Sequence, residues 1–295
     1  MLVGSVLLVY GCESDDKEGT ITRPSATNWR DLVVTLNNMD SHLGQMIAFR
    51  VVSKFNPEVT TVFDELRAVA RIDSLHTTPF TFTIPLAVPE GVHRLDFWCD
   101  ENGDGWYDPS LFATPTAPSV MNDHSYRMLL PATGTVTVNF THPDAAADTM
   151  GAYVNDVWVL DVNQEAWLRP DSHLWMNFSG MTTAVGHALE LMVYEPTGGR
   201  ALGYYRYSNV GADDFQIVLP NIAGLNNDGT GQQIQIDFYV DGNDNGYDSS
   251  DDSWSVTGTV DVEFDTLGAG VIISLADSLV VDFAYTTSTS TIIWP

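Results

Sequence analysis

The sequence has little positive charge. Of its 295 residues, 12 are Lys or Arg and 39 are Asp or Glu, which gives a formal net charge of −27. Only two of the basic residues are Lys, at positions 17 and 54. This balance argues against a nucleic-acid partner, because such binding needs cations against phosphates. Cations are natural partners, although the same charge is also typical of a solvated surface suited to salty surroundings.

Cysteine is almost as scarce, with Cys12 and Cys99 alone. Two such residues make no disulfide framework. Cys99 lies in the apolar stretch "LDFWCD", which predicts a buried thiol. The sequence also lacks a nucleophile elbow, a zinc-protease helix, a P-loop and a Rossmann fingerprint. We therefore expect a protein that is not an enzyme, with a glycan-active hydrolase as an alternative because carboxylates are abundant.

No apolar run is long enough for a membrane-spanning helix at the N-terminus. The apolar residues 1–11 fall short of the roughly 20 that such a helix needs, and they suit the core of a signal peptide. The sequence Val9-Tyr10-Gly11-Cys12 resembles the lipobox of bacterial lipoproteins. That resemblance implies cleavage before Cys12, lipid on Cys12, and export to a membrane-anchored place at the outer membrane or cell surface. An ordinary secretory signal or a buried N-terminal strand stays an alternative.

The chain repeats itself with a period of about 142 residues. "LVVTLNNMDSHLGQMIAFRVV" from Leu32 aligns without gaps on "LWMNFSGMTTAVGHALELMVY" from Leu174. "HRLDFWCDENGDGWYD" then aligns with "IQIDFYVDGNDNGYD", and "NDHSYRM" with "DDSWSV". A fourth block pairs "GTVTVNF" from Gly134 with "GTVDVEF" from Gly258. The order of the blocks predicts two homologous domains.

The predicted fold class is all-β. Short runs that alternate apolar and polar residues, separated by Gly, Pro and Asn, are typical of sandwich strands. A short helix is an alternative only at residues 60–72. We expect a flexible tether at 12–28 and β-sandwich domains, immunoglobulin-like or transthyretin-like, at 29–145 and 150–290. The stretch "PDAAAD" from Pro143 supplies the linker between the domains.

Two acidic loops follow equivalent strands. Each has oxygen-bearing side chains at alternate positions and then a Gly, as calcium loops do because Ca²⁺ takes six to eight oxygen ligands. They resemble the loops of EF-hands, dockerins and thrombospondin type 3 repeats, and the "DxNxNGxYD" loops of secreted bacterial β-sandwich proteins. An acidic turn without metal is the alternative. The predicted ligands of two Ca²⁺ ions are Asp100, Asn102, Asp104, Trp106 (carbonyl), Asp108 and Asp123 in the first loop, and Asp241, Asn243, Asn245, Tyr247 (carbonyl), Asp248, Asp251 and Asp252 in the second.

Two weaker constellations complete the analysis. Trp98 and Tyr239 alternate with acids on one face of their strands, which suggests a sugar platform and a carbohydrate-binding module as an alternative function. His42, which is close to Met39, and His124, which follows Asp123, allow a copper or zinc site, although Met39 and its counterpart Met181 are better explained as core residues. The expected partners are thus the membrane, through Cys12, and a glycan or surface protein.

Overall fold

The structure is a computed structural model that describes residues 28–53, 65–105, 123–142, 174–195, 199–219, 232–260, 262–267, 271–276, 279–286, 292, 294 and 295. Within these ranges the chain is all-β, as predicted. The regular helical segments described there are two short 3₁₀ turns, Asp40–His42 and Thr182–Ala184. No helix in the described ranges is long and apolar enough to cross a membrane. Residues 1–27 lie outside the described residues, and they include the predicted signal peptide, Cys12 and all of the tether except Asn28. The predicted linker from Pro143 lies outside them as well.

The first half of the chain supplies seven strands: β1 Trp29–Asn37, β2 Ile47–Ser53, β3 Glu65–Ile72, β4 Phe80–Pro89, β5 His93–Cys99, β6 His124–Leu130 and β7 Val136–Thr141. The second half supplies nine: β8 Leu174–Ser179, β9 Ala188–Tyr194, β10 Ala201–Tyr207, β11 Phe215–Leu219, β12 Gln232–Asp241, β13 Asp252–Val260, β14 Val262–Leu267, β15 Val271–Ala276 and β16 Leu279–Ala284. The segment considered as a short helix thus ends in a strand, β3.

The two halves share one eight-stranded sheet, with the order β13-β12-β9-β10-β3-β2-β5-β6. Its centre is a parallel pair in which Gly203 to Arg206 of β10 lie beside Val69 to Ile72 of β3. All other pairs in this sheet are antiparallel. The strands β5 and β12 therefore run in the same direction, and the acidic loops that follow them emerge at the same end of the sheet.

Each half adds a three-stranded sheet of its own, β4-β1-β7 or β11-β8-β16. These small sheets cover opposite faces of the large one. In β9, Leu191 and Val193 pack into the second core, whereas Met192 and Tyr194 between them pack into the first. Because neighbouring side chains in a strand point to opposite faces, this division places the two cores on the two sides of the shared sheet.

Contacts at the centre join the halves. The rings of Phe82 in β4 and Tyr204 in β10 stack with centroids 5.3 Å apart. The backbone N–H of Ser208 donates to Asp73 Oδ1 at 2.7 Å, and the Arg200 guanidinium lies 4.7 Å from the centre of the Trp29 ring. Each core also borrows residues from the other half, so the halves do not pack as two separate units.

The strand pairing corrects one block of the sequence repeat. β7 pairs in parallel with β1, where Val136 lies opposite Leu32. The strand that pairs in the same way with β8 is β16, where Leu279 lies opposite Leu174. "VTVNFT" therefore corresponds to "LVVDFA" and not to "GTVDVEF", which runs from the end of β13 into β14. The β14–β15 hairpin is an addition to the second half between β13 and β16.

Candidate functional site

The first acidic loop turns around the carboxylate of Asp100, which is buried at the end of β5. Asp100 Oδ1 accepts the N–H of Gly103 at 2.7 Å, and Oδ2 accepts that of Gly105 at 2.8 Å. Asn102 Oδ1 accepts the N–H of Asp104 at 3.0 Å. Gly103 and Gly105 have φ of 74° and 81°, in the left-handed region that favours glycine. The turn thus places the side chains of positions 100, 102 and 104 around one concave backbone. Trp106 and Asp108 lie outside the described residues.

The second loop repeats this geometry. The carboxylate of Asp241 accepts the N–H groups of Asn245 at 3.2 Å and Gly246 at 3.0 Å. The amide nitrogens of Asn243 and Asn245 both lie within 3.2 Å of Asp248 Oδ2. Hydrogen bonds from Ser250, and then from these two amides, hold the pKa of Asp248 well below its usual range. Asp248 is therefore a carboxylate over the whole physiological pH range.

A further aspartate closes each loop from the next strand. Glu101 N–H donates to Asp123 Oδ1 at 2.9 Å, and Gly242 N–H donates to Asp251 Oδ1 at 3.3 Å. Asp251 Oδ2 also accepts the N–H of Asp248 at 2.8 Å. The structure therefore brings the two aspartates that were predicted to close the loops against the first residues of those loops. Asp252 begins β13 opposite Val240, and the side-chain hydroxyl of Tyr247 donates to the Ile292 carbonyl at 3.1 Å.

The donor set of the loops is one of oxygen atoms from carboxylates and amides. Among the described residues, no three His, Cys, Asp or Glu side chains are gathered so that they could hold a metal ion by themselves. A cation in either loop would therefore need amide and backbone oxygens as well. That mixture is one that Ca²⁺ accepts and that softer metals disfavour. The residues present fit a hard cation in kind, and the calcium sites stay a prediction.

The two aromatics of the predicted sugar platform are buried. Trp98 is 3% exposed and packs with Met46 and Ala48, so its ring offers no open face. Tyr239 is 1% exposed, and its ring contacts those of Tyr247 and Trp294 at 5.1 and 4.7 Å between centroids. Neighbouring side chains cover both rings, so Trp98 and Tyr239 form no exposed sugar platform. The alternation of residues along a strand does not reveal which side chains cover its outer face. Tyr239, however, lines a cleft.

A buried polar cluster lies beside the first loop. His42 Nε2 is 3.0 Å from His142 Nε2, and His42 Nδ1 is 3.1 Å from Glu101 Oε1. Cys99 is a free and fully buried thiol, as predicted, and it hydrogen-bonds His42. Burial raises the pKa of the Cys99 thiol, so the thiol stays protonated at neutral pH. The sequence had singled out His42 but paired it with His124, whose side chain is not described, and it had missed His142.

The sequence did not predict a cleft that the second half forms together with β4 of the first half. Glu190, Tyr204 and Arg206 line it together with Tyr239 and residues of the second loop. Burial raises the pKa of Glu190, the charge of Arg206 opposes that rise, and the Tyr204 hydroxyl donates to Glu190 Oε2 at 3.0 Å. One signal was available, because Glu190 interrupts the apolar stretch "ALELMVY" at the place where the first copy has Ala48.

Comparison with known proteins adds little. No family model matches the chain, and no curated protein matches it. A solved structure described as "Structure of the Streptococcal ancillary pilin" aligns over 88% of this chain, at 12% identity and with a TM-score of 0.18. This chain spans 62% of the length of that pilin chain. A likeness this weak supports no conclusion about function.

Proposed function

We propose that the chain is a lipid-anchored module of the bacterial cell envelope that serves in surface scaffolding or adhesion. Calcium in the two acidic loops would stabilise its β-sandwich. The observation that carries this proposal is the recurrence of one loop geometry at the ends of β5 and β12, closed in both places by the aspartate that directly precedes the next strand. Loops chosen only for their turn would have no need of the additional carboxylate.

Electrostatics give the reason for the metal. In the second loop, Asp241, Asp248 and Asp251 all accept hydrogen bonds from the N–H and amide groups of one turn. Like charges within one loop repel one another, and a bound divalent cation would remove that cost. The stabilisation would reach both halves, because β5 and β12 belong to the same sheet. We propose no catalytic role for these carboxylates.

A melting experiment tests the calcium sites. Binding at one site to the folded state alone stabilises by about 2.7 kcal/mol at a hundredfold excess over Kd, which raises Tm by about 4 °C per site in a chain of this size. Protein stripped with EDTA should show this rise with Ca²⁺ and a smaller one with Mg²⁺, which gives up its water less readily.

Variants assign the shift to each loop. Asp100→Ala with Asp104→Ala should remove the contribution of the first loop, Asp241→Ala should remove that of the second, and the exposed Asp40→Ala should change neither. Calorimetry should count two sites. Stripped protein that gives neither heat nor a change of Tm in millimolar Ca²⁺ would show both loops to be acidic turns.

The anchor has its own test. In a bacterial host, a metabolic fatty-acid probe should label the wild-type chain and should not label Cys12→Ser. Equal labelling of the two chains, or no labelling of either, contradicts a lipid on Cys12.

A further inference from the structure

A cleft of about 400 Å³ lies where β4 of the first half approaches the sheet of the second half. It opens on the face of the shared sheet opposite the second core, beside the second acidic loop. Phe80 of β4, Glu190 and Arg206 of the large sheet, and Asp244, Tyr247 and Trp294 are among the residues that line it.

The floor of the cleft is polar and fixed in place. Glu190 is 8% exposed and forms an ion pair with Arg206. The Tyr204 hydroxyl donates to the same carboxylate at 3.0 Å. The charges of Glu190 and Arg206 offset each other, and the buried carboxylate of Asp241 lies beside them in the lining.

The walls are aromatic. Phe80 on one side and Tyr247 and Trp294 on the other are each partly exposed. The buried ring of Tyr239 supports both Tyr247 and Trp294 through edge contacts. Such fixed rings offer apolar surface without loss of side-chain freedom on binding.

The charges at the cleft select the kind of ligand. An anion would meet the carboxylates of Asp241 and Asp244, whereas the only guanidinium of the described lining, that of Arg206, is already paired with Glu190. Arg206 carries five N–H donors, of which the described structure commits Nη1 to Glu190. A neutral molecule rich in hydroxyl groups satisfies both, because each hydroxyl can donate to a carboxylate and accept from a guanidinium.

The geometry points to a binding site for a neutral oligosaccharide in this cleft, with sugar rings against Phe80 and Trp294 and hydroxyl groups on Arg206 and Asp244. This inference goes beyond the proposed function, which needs no ligand at the cleft. It also differs from the sugar platform suggested by the sequence, since that platform rested on Trp98 and Tyr239 as exposed rings.

Titration of the full chain in Ca²⁺ tests the inference. The probes are neutral hexasaccharides of glucose, mannose, xylose or N-acetylglucosamine, with a lysine-rich peptide as the charged alternative. At least one hexasaccharide should bind with a Kd below about 1 mM and change the tryptophan fluorescence. Trp294→Ala and Phe80→Ala should each weaken that binding about tenfold, the effect of removing a contact worth somewhat over 1 kcal/mol. Asp244→Asn should weaken it less.

A matched control comes from the repeat. Phe215 lies opposite Phe178 in β8, as Phe80 lies opposite Leu36 in β1, and it is outside the cleft. Phe215→Ala should leave sugar binding unchanged. The inference is overturned if none of the four sugars binds, if the wall variants bind as the wild type does, or if only the peptide binds. A calcium shift of Tm that persists in that case leaves the proposed function standing.

Discussion

The two halves of the molecule pair their strands in the same way and differ in the side chains that they bury. Where β7 ends, the N–H of His142 donates to the Asn37 carbonyl, and the N–H of Tyr285 donates to the Ser179 carbonyl in the same way. The side chains around this point are His42, Cys99 and His142 in the first half and Ala184, Val240 and Tyr285 in the second. A polar cluster thus stands where the other copy has an alanine, a valine and a tyrosine. The hydrogen-bonded frame of a sandwich tolerates such exchange.

A second difference lies on the facing strands of each half. Ala48 of β2 is opposite Arg71 of β3, whereas Glu190 of β9 is opposite Arg206 of β10. Arg206 is therefore paired within the sheet. Arg71 lies against the first loop, because a Cβ built on Gly105 would be 3.4 Å from its Nη2. The first half has alanine where the second has glutamate. In the second half the arginine pairs with that glutamate and lines the cleft, whereas in the first half the arginine lies beside the acidic loop.

The largest contrast should come from equivalent buried aspartates. Asp96 accepts from Nε of both Arg50 and Arg94, at 3.1 and 3.0 Å, and all three side chains are buried. Asp237, its counterpart, accepts from Ser255 Oγ at 2.7 Å and Gln235 Nε2 at 2.8 Å.

Asp96→Asn should lower the free energy of unfolding by about 3–5 kcal/mol, because it breaks the buried ion pairs that Asp96 forms with both guanidinium groups. Asp237→Asn keeps an oxygen acceptor and should cost about 1 kcal/mol. Urea denaturation at pH 7 measures both. Equal losses would mean that the two halves use this position alike.

The free energy of unfolding should depend on pH through His42, a residue of the first half. Burial lowers the pKa of His42, but hydrogen bonds to Cys99 and Glu101 outweigh it and raise the pKa above the ordinary 6.5. Because the Cys99 thiol is protonated, the Glu101 carboxylate, whose Oε1 lies 3.1 Å from His42 Nδ1, is the anion that favours the charged imidazole. A folded pKa above the unfolded 6.5 stabilises the protein below pH 6.5, and this stability is lost as the pH rises through the folded pKa.

The free energy of unfolding should therefore fall between pH 6.5 and pH 9. Glu101→Gln should flatten that slope, whereas Glu90→Gln, at the opposite end of β5, should preserve it. Urea midpoints across this range supply the measurement. A slope that is unchanged in Glu101→Gln would show that the carboxylate does not hold the proton on His42.

The smallest predicted effect is a change in calcium affinity that is confined to the first loop. A cation near the first loop opposes Ca²⁺, so Arg71→Gln should tighten calcium binding there about three- to tenfold. Calorimetry in an Asp241→Ala background isolates the first loop. Arg30→Gln is the control, because Arg30 bonds the Pro131 carbonyl at the other end of the sheet. An affinity that responds equally to both changes would assign the effect to net charge alone.

The sequence predicted the features that depend on interactions between residues close together in the chain or on neighbouring strands. Alternation predicted the strands, and the Asp-x-Asn spacing before Gly predicted loops at these two places, where the carboxylates of Asp100 and Asp241 accept loop N–H groups. The aligned Asp123 and Asp251 were found because they precede the strands that pair with β5 and β12. Each of these features lies within a few residues, or on neighbouring strands.

Pairing over long distances could not be predicted. Nothing in "RAVARI" or "GYYRY" indicates that β3 and β10 join the halves in parallel, because both strands would suit an edge equally well. The block "GTVDVEF" misled the alignment, since Val and Thr in alternation fit any half-buried strand. The cleft depends on that join, because its lining combines β4 of the first half with β9, β10 and β12 of the second. A cleft in a repeat protein can thus arise from contacts that neither copy has alone.

The described chain enters the sandwich at the end opposite the two acidic loops. The Asn28 carbonyl accepts the N–H of Glu90, just before β5 begins at His93, whereas both acidic loops follow the far ends of β5 and β12. Under the proposed anchor at Cys12, the lipid would therefore attach to the end away from the loops and the cleft, and molecules outside the cell could reach both.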